Sequence, residues 1–451
     1  MSFSTICAVA TGTSNGAVSI IRLSGARART IASSVSRKEN WPPRRQVFCT
    51  LYDGETVLDK ALVTYFQAPH SFTGEDVVEF AVHGSPYIKG RLLEILCELG
   101  AVPAQRGEFS QRAFLNGKMD LVEAQGLCDL IASGNKAAHD VAMSSLDGKL
   151  SARVTEMKAI LSELLAQIEV RLDDVDEEMS PLAPSVMAEK LTGILKHIRA
   201  LTATFSVGRL IKEGLKIAIV GAPNSGKSSL LNTLVGFDRA IVSDQSGTTR
   251  DTVEEMLEIN GQKIILTDTA GIRDHALDPA EQEGMRRSKR AMEAADVILL
   301  VLDGTREITS EEKSLWQDIQ TYHGKRVLIV HNKADKNTGI CTLKNNTDYP
   351  QVTVSCKTGE GIDTLKDLLT QPISQIQNSQ DLLISNLRHY EALLRAQTEL
   401  EASLLQLEKN AGGEIYAEHI RAALTYLQDL IGEVTPDDVL GIIFSKFCMG
   451  K

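Results

Sequence analysis

Lys216-Ile-Ala-Ile-Val-Gly221-Ala-Pro-Asn224-Ser-Gly226-Lys-Ser228 joins a short apolar run to a glycine-flanked loop, and Ser229–Val235 continues with helical spacing. Gly221 to Ser228 fits the pattern Gly-x4-Gly-Lys-Ser, and a strand before it and a helix after it is the context that pattern requires. The glycines let backbone N–H groups turn inward onto phosphates. Lys227 is placed to reach the β- and γ-phosphates, and the Ser228 hydroxyl to bind Mg²⁺. The loop therefore predicts an α/β nucleotide-binding domain.

Outward from this loop, Lys263–Thr267, Val297–Asp303 and Arg326–His331 read as further short buried strands alternating with helices. That alternation predicts a doubly wound parallel sheet, ending near Pro372. Asp268-Thr269-Ala270-Gly271 ends one strand, where Asp268 can hold the Mg²⁺ shell and the Gly271 N–H can sense the γ-phosphate. Asn332-Lys333-Ala334-Asp335 ends another. A carboxylate at Asp335 can accept from N1–H and the N2 amino group of guanine, which adenine cannot supply. Ser355-Cys356-Lys357 stands where a backbone N–H would meet guanine O6. Gly247-Thr248-Thr249-Arg250-Asp251 supplies a switch threonine for Mg²⁺, read as Thr249. The elements stand in the order expected of a GTPase. The nucleotide set comprises Asn224, Ser225, Gly226, Lys227, Ser228 and Ser229, then Ser243, Asp244, Gln245, Ser246, Gly247, Thr248 and Thr249, with the three strand-end motifs. Ile272 follows Gly271, where many GTPases carry a water-orienting Gln. An apolar side chain cannot orient water, so another device must stabilise the transition state. Asn224 has two readings: its amide oxygen helps hold a K⁺ in the place of an arginine finger, or it merely stabilises the turn.

The flanks differ in character. Residues 1–118 mix the strand-like runs Val18–Leu23, Ala61–Phe66 and Val77–Val82 with one amphipathic helix, Arg91–Leu99, giving an α+β module. Glu123–Ala132, Ala137–Leu146, Val154–Leu172 and Met187–Thr204 carry helical spacing, interrupted by the acidic run Asp173–Glu178. After the α/β segment, Leu387, Tyr390, Leu394, Leu404 and Leu407 fit one helix face, and Ile420, Leu424, Leu427 and Ile431 another. Thr435-Pro436-Asp437 reads as a helix start with Thr as N-cap. The expected organisation is multidomain: an α+β module (1–118), an all-α domain formed from two segments (119–213 and 374–451), and an α/β P-loop GTPase domain inserted between them (214–373).

The chain has 451 residues, with 48 Lys and Arg against 59 Asp and Glu, for a net charge of −11. That balance argues against a protein that coats nucleic acid through global charge, though not against a local basic patch. Residues 1–118 nevertheless carry 13 Lys and Arg against 10 Asp and Glu, so the acidity lies elsewhere. No apolar run approaches the roughly 20 residues of a membrane helix, and the first residues do not read as a signal or transit peptide. Seven scattered cysteines form no Cys-x-x-Cys pair, which supports neither a zinc site nor a disulfide framework. The expectation is a cytoplasmic protein with no membrane association.

Beyond the nucleotide motifs, Phe72-Thr-Gly-Glu-Asp-Val-Val-Glu79, the run from Gly107 to Leu121 and the tail Phe447-Cys448-Met449-Gly450-Lys451 resemble the MnmE (TrmE) family of tRNA modification GTPases almost from end to end. The resemblance implies a folate-binding N-terminal domain, a split helical domain and an inserted G domain. It implies a homodimer through the N-terminal domains, and G domains that pair in a K⁺-bound transition-state form. The implied activity is GTP-dependent C5 modification of the tRNA wobble uridine with an aminomethyl or carboxymethylaminomethyl group. The implied partner is an FAD-dependent MnmG (GidA)-like protein. The implied cofactors are GTP, Mg²⁺, K⁺ and 5,10-methylene- or 5-formyl-tetrahydrofolate. Carried over by position, Arg22, Glu79, Lys118 and Lys451 contact the folate. Asn224, Ser243, Gln245 and Thr248 surround K⁺, and Ser228 and Thr249 bind Mg²⁺. Glu281 orients the attacking water, with Glu283 as its rival. This chain has Gly84-Ser85 where the family usually has Gly-Gly, and Thr11-Gly12 where Thr-Pro is common. Cys448 is either a small apolar residue packing the last helix or a reactive, catalytic thiol near the folate and tRNA. The competing functions are an RNA-binding, ribosome-assembly-type GTPase switch and a folate enzyme with a regulatory GTPase.

Overall fold

The computed structural model describes residues 4–12, 16–173, 183–237, 254–268, 289–336, 349–377, 382–447 and 450. The chain packs as two compact units. One joins Met1–Cys128, Ser145–Lys190 and Thr398–Lys451; the other joins Asp129–Ser144 and Leu191–Gln397. The expected division at residues 118, 213 and 373 follows chain order, whereas these units follow contacts.

The first unit opens with β1 (Ile6–Val9), β2 (Val18–Ser24), α1 (Ala28–Ser36), β3 (Gln46–Asp53), β4 (Thr56–Phe66), β5 (Val77–His83), α2 (Pro86–Glu98), β6 (Val102–Pro103) and α3 (Glu108–Leu115). The strands form one sheet in the order β3-β4-β5-β2-β1-β6. Alternation sorts its residues. Ile21, Leu23, Val63, Tyr65, Val78 and Phe80 pack with α1 and α2. Phe48, Leu62, Ala81 and Ile20 stand in register across the opposite face. The amphipathic helix expected at Arg91–Leu99 begins earlier, at Pro86, because proline is favoured in a first helical turn. The short β1 and β6 and helices α1 and α3 escape a periodicity reading. They are brief, and α1 alternates Arg and Ala at its start.

Helices α4 (Leu121–Ala132), α5 (Lys136–Leu146), α6 (Lys149–Asp173), α7 (Pro184–Ala203) and α8 (Phe205–Glu213) follow. Then come β7 (Leu215–Val220), α9 (Lys227–Phe237), β8 (Glu254–Ile259), β9 (Gln262–Asp268), β10 (Val297–Asp303), α10 (Ser310–Gln320), β11 (Arg326–Asn332), β12 (Gln351–Thr353) and α11 (Ile362–Gln377). The second sheet runs β12-β11-β10-β7-β9-β8. It is parallel except at its edge, where β8 pairs antiparallel with β9. The expected doubly wound sheet thus carries one antiparallel edge: only the two-residue turn Asn260-Gly261 separates β8 from β9, and so short a link can join only antiparallel neighbours. Both faces are covered. Ile217, Ile219, Leu299, Val301, Leu328 and Val330 face one core, whereas Ala218, Val220, Ile298, Leu300 and Ile329 face the other. Such two-sided burial explains why these strands read as continuous apolar runs.

The chain ends with α12 (Leu387–Glu408), α13 (Gly413–Ile431) and α14 (Asp437–Ser445). Two helix details differ from expectation. In α12 the buried residues are His389, Ala392, Leu393, Ala396, Leu400, Ser403 and Leu407; of the expected face Leu407 is among them, while Leu387 is 56% exposed. Small residues allow the closer approach, so the helix is rotated from the leucine-based face. At α14 the N-cap is Pro436, and the Thr435 hydroxyl turns back to Asp429, 2.7 Å from Oδ1. In the first unit α13 packs along α6, with Arg421 paired to Glu169 at 2.7 Å. Leu440, Phe444 and Phe447 then pack on Leu121 and Ala124.

Candidate functional site

The nucleotide loop lies between β7 and α9, at the C-terminal end of the sheet's parallel strands. In open α/β sheets ligands bind at that end. Gly226 has φ +97, and a Cβ there would stand 2.0 Å from Asn332 Nδ2, so only glycine fits. Asn224 takes a left-handed conformation, φ 59, which asparagine tolerates better than most residues. Lys227 is almost wholly buried and donates to the carbonyls of Gly221 and Ala222 at 2.8 Å. The Ser225 hydroxyl is buried with no hydrogen-bond partner among the described residues. Ser228 and Ser229 stand exposed at the start of α9. This cradle has the glycine geometry, the ammonium and an unsatisfied polar atom that a phosphate chain would use.

The base-side loops converge on the same end. Asn332 Nδ2 donates to Ser225 O at 3.1 Å, and its Oδ1 accepts from Lys333 N at 2.8 Å. Lys333 Nζ donates to Asn224 O at 2.9 Å and pairs with Asp303 Oδ2 at 2.6 Å. Asp335 is exposed, with Oδ1 accepting from the Ser355 hydroxyl at 2.8 Å. The Ser355 N–H donates to Glu360 O at 2.9 Å, and the Cys356 N–H donates to Asn332 Oδ1 at 3.5 Å. Burial raises the pKa of the Cys356 thiol, so it stays protonated and donates to Asn332 Oδ1 at 3.3 Å. Ala334 anchors the loop by donating its N–H to Val354 O at 3.0 Å.

Asp303 is a site residue that the motif reading missed. Burial alone would raise its pKa, but the hydrogen bonds from Lys333 and Thr305 outweigh that and hold the carboxyl at about 2. Its signal in the sequence was positional: a carboxylate ending the strand next to the nucleotide-loop strand.

Other expected residues lie outside the described residues: Ser243 to Thr249, Thr269, Ala270, Gly271, Glu281, Cys448 and Lys451. Of Asp268 only the backbone is described, at the end of β9.

The N-terminal residues gather separately, in the first unit. Register pairs Arg22 on β2 with Glu79 on β5, and their side chains form an ion pair at 2.8 Å. The Arg22 guanidinium lies over Phe72 and Phe109, 5.3 Å and 5.6 Å from the ring centroids. Its remaining arm donates to Gly450 O at 3.4 Å. Gly450 has φ +88, and a Cβ there would come within 2.1 Å of Val9 O, so Gly450 itself stands close against β1. Lys118 is exposed and donates to Pro69 O at 3.0 Å. Arg22 and Glu79 thus neutralise one another, and of the expected folate cations that are described, Lys118 keeps its charge free. Beside β1 a cavity of about 340 Å³ opens between Val9, Thr11, Lys89, Leu93 and the thiols of Cys7 and Cys97.

A family model described as "GTP-binding protein TrmE N-terminus" matches residues 5–118, and one described as "MnmE helical domain" matches residues 121–448. A tRNA modification GTPase MnmE of Acinetobacter baylyi is 41% identical over 450 residues, covering 99% of this chain and 96% of the relative. This chain belongs to the MnmE family. Its counterpart from Akkermansia muciniphila, with the same name, is 40% identical over 457 residues, covering 99% of both chains. A crystal structure of the G domain of the T. maritima FeoB iron transporter is 26% identical, covering 35% of this chain and 97% of that one, with a TM-score of 0.28. The MnmE-family chain is a GTP hydrolase, with GTP as its substrate. No helix among the described residues is long and apolar enough to cross a membrane.

Proposed function

We propose that this chain hydrolyses GTP to drive C5 modification of the wobble uridine, position 34, of tRNA. The added group is aminomethyl or carboxymethylaminomethyl, its carbon comes from a tetrahydrofolate held in the N-terminal unit, and the partner is an FAD-dependent MnmG (GidA)-like protein. The relatives' shared name, tRNA modification GTPase, supports the tRNA substrate. The observation that carries the folate assignment is the meeting of Arg22, Glu79 and Gly450. It brings Gly450 to two of the residues expected to bind folate, and in the sequence Cys448 and Lys451 lie within two residues of it. The donor set suits that ligand. Glu79 can accept from a pterin's paired N–H groups, Phe72 and Phe109 offer ring faces, and Lys118 and Lys451 can take the glutamate carboxylates.

In the G domain, backbone N–H groups of the loop and Lys227 hold the phosphates, Asp335 selects guanine, and Glu281, or Glu283, orients the attacking water. Ser228 and Thr249 would hold Mg²⁺, and Asn224, Ser243, Gln245 and Thr248 would hold K⁺; bound there, these ions would supply positive charge to the transferring phosphoryl group. Asn224 has both roles open to it: the turn needs its left-handed backbone, and its exposed amide remains available to a cation.

A homodimer through the N-terminal units is supported by the sheet face away from α1 and α2, where Phe48 is 67% and Val18 59% exposed. Apolar side chains that open in one face favour coverage by a second copy.

Two measurements on the full-length protein test the assignment. GTP hydrolysis in K⁺ should exceed that in Na⁺ by on the order of 100-fold, the scale of losing one transition-state charge contact; equal rates would remove the cation. 5-Formyl-tetrahydrofolate should bind by calorimetry, and Glu79→Gln should weaken it by roughly 10-fold or more. Unchanged affinity in that variant would remove Glu79 from the site.

A further inference from the structure

We propose that the N-terminal unit carries a cationic track for the poly-γ-glutamate tail of its folate, running from Lys118 across the turn at residues 67–70 to Arg44 and Arg29. The inference rests on the folate assignment above and specifies the form of folate that the site takes.

Arg22 gives two of its nitrogens to Glu79, so the first tail carboxylates are left to cations further along the same loop. Lys118 Nζ sits on Pro69 O at 3.0 Å. The next carbonyl, His70 O, accepts from Arg44 NH2 at 3.3 Å. Arg44 N in turn donates to Tyr65 O at 2.8 Å, and the Arg29 guanidinium lies 5.8 Å from the centroid of the Tyr65 ring. Residues 67–70 and all three cations are exposed. None of the three has a carboxylate partner within salt-bridge distance among the described residues. The strip also holds one carboxylate, Asp76, whose Oδ1 accepts from Tyr65 OH and Ala68 N, both at 2.9 Å. Arg44 also holds a left-handed backbone, φ 58, a conformation that glycine or asparagine adopts at lower cost. The position thus spends backbone strain on a guanidinium aimed at the turn.

A γ-linked oligoglutamate is an extended chain with a carboxylate on every residue. A strip of separated, solvent-facing cations that begins at the residue expected to meet the first glutamate matches that chemistry. Each exposed pair is worth little alone, and several along one chain accumulate. Phosphates of an RNA would also be attracted to such cations, and RNA binding is therefore an outcome of the test.

The test is calorimetric titration of the full-length protein with monoglutamyl and pentaglutamyl 5-formyl-tetrahydrofolate. The pentaglutamyl form should bind on the order of 10-fold more tightly. In Arg29→Gln/Arg44→Gln, checked for fold by circular dichroism, that advantage should vanish while monoglutamyl affinity is kept. Arg44→Lys, which retains the charge, should keep most of the advantage. Equal affinities for the two forms in the wild type would overturn the track. So would a double variant that keeps its preference for the longer tail, including one that loses tRNA affinity instead. If neither form binds, the folate assignment itself falls, and the track with it.

Discussion

Lys333 reaches two places at once, the carbonyl of Asn224 in the phosphate loop and the carboxylate of Asp303 at the end of the neighbouring strand. It does so from a left-handed backbone, φ 68, so its course depends on both contacts. Asp303→Asn keeps the shape and removes the charge, and hydrogen bonds to charged groups are worth about 1.5–3 kcal/mol. The variant should bind GDP roughly 10- to 100-fold more weakly in a fluorescent-nucleotide titration; unchanged affinity would show that Lys333 is held without it. His389 makes a second residue-scale case. It is wholly buried, and burial first, then the cations Arg388 and Lys212, push its pKa well below the usual 6.5. The folded protein therefore holds the neutral ring while the unfolded chain protonates near 6.5, so stability is complete above that pH and is lost as pH falls below it. Thermal melts should show the melting temperature dropping from pH 7 to pH 5, and His389→Leu should flatten that slope.

Among the elements, α10 has the most explicit start. Thr309 Oγ1 accepts from Glu312 N at 3.2 Å, and Glu312 Oε2 accepts from Thr309 N at 2.9 Å. Thr309→Ala should cost about 1 kcal/mol in urea unfolding monitored in the G domain. The end of the chain is the other element with a clear consequence. A methyl at Gly450 would collide with Val9 O, so Gly450→Ala should undock the tail and speed its removal by carboxypeptidase; wild-type rates would mean that the tail is not held there. These two sites also mark what sequence could reveal. Loop spacing exposed the nucleotide site, because Gly221, Gly226 and Lys227 act through local backbone geometry. The strands β7, β10 and β11 were legible because burial on both faces leaves an unbroken apolar run. Asp303 and the cations around Tyr65 were not, because their meaning arises only when strand ends and loops distant in sequence come together. Thr435 misled because a threonine before a proline resembles a cap, while its hydroxyl is taken by Asp429.

For the whole molecule, the net charge of −11 once weighed against an RNA-linked role. Its distribution removes that objection, since residues 1–118 hold an excess of cations, several of them exposed. Each compact unit has its own core and gathers its own candidate residues: the nucleotide loop on an α/β sheet in one, and the Arg22–Glu79 pair in the other. The central claim is that both serve one reaction on tRNA. Mass analysis of tRNA nucleosides from a strain lacking this protein, complemented in turn by the wild type, Lys227→Ala, Glu79→Gln and Cys448→Ser, tests it most directly. The account predicts that the C5-substituted wobble uridine disappears in the deletion strain, returns with the wild type, and fails to return with either Lys227→Ala or Glu79→Gln; full recovery with Cys448→Ser would limit that thiol to packing. Undiminished C5-substituted wobble uridine in the deletion strain, or full recovery with Lys227→Ala and Glu79→Gln, would contradict the account.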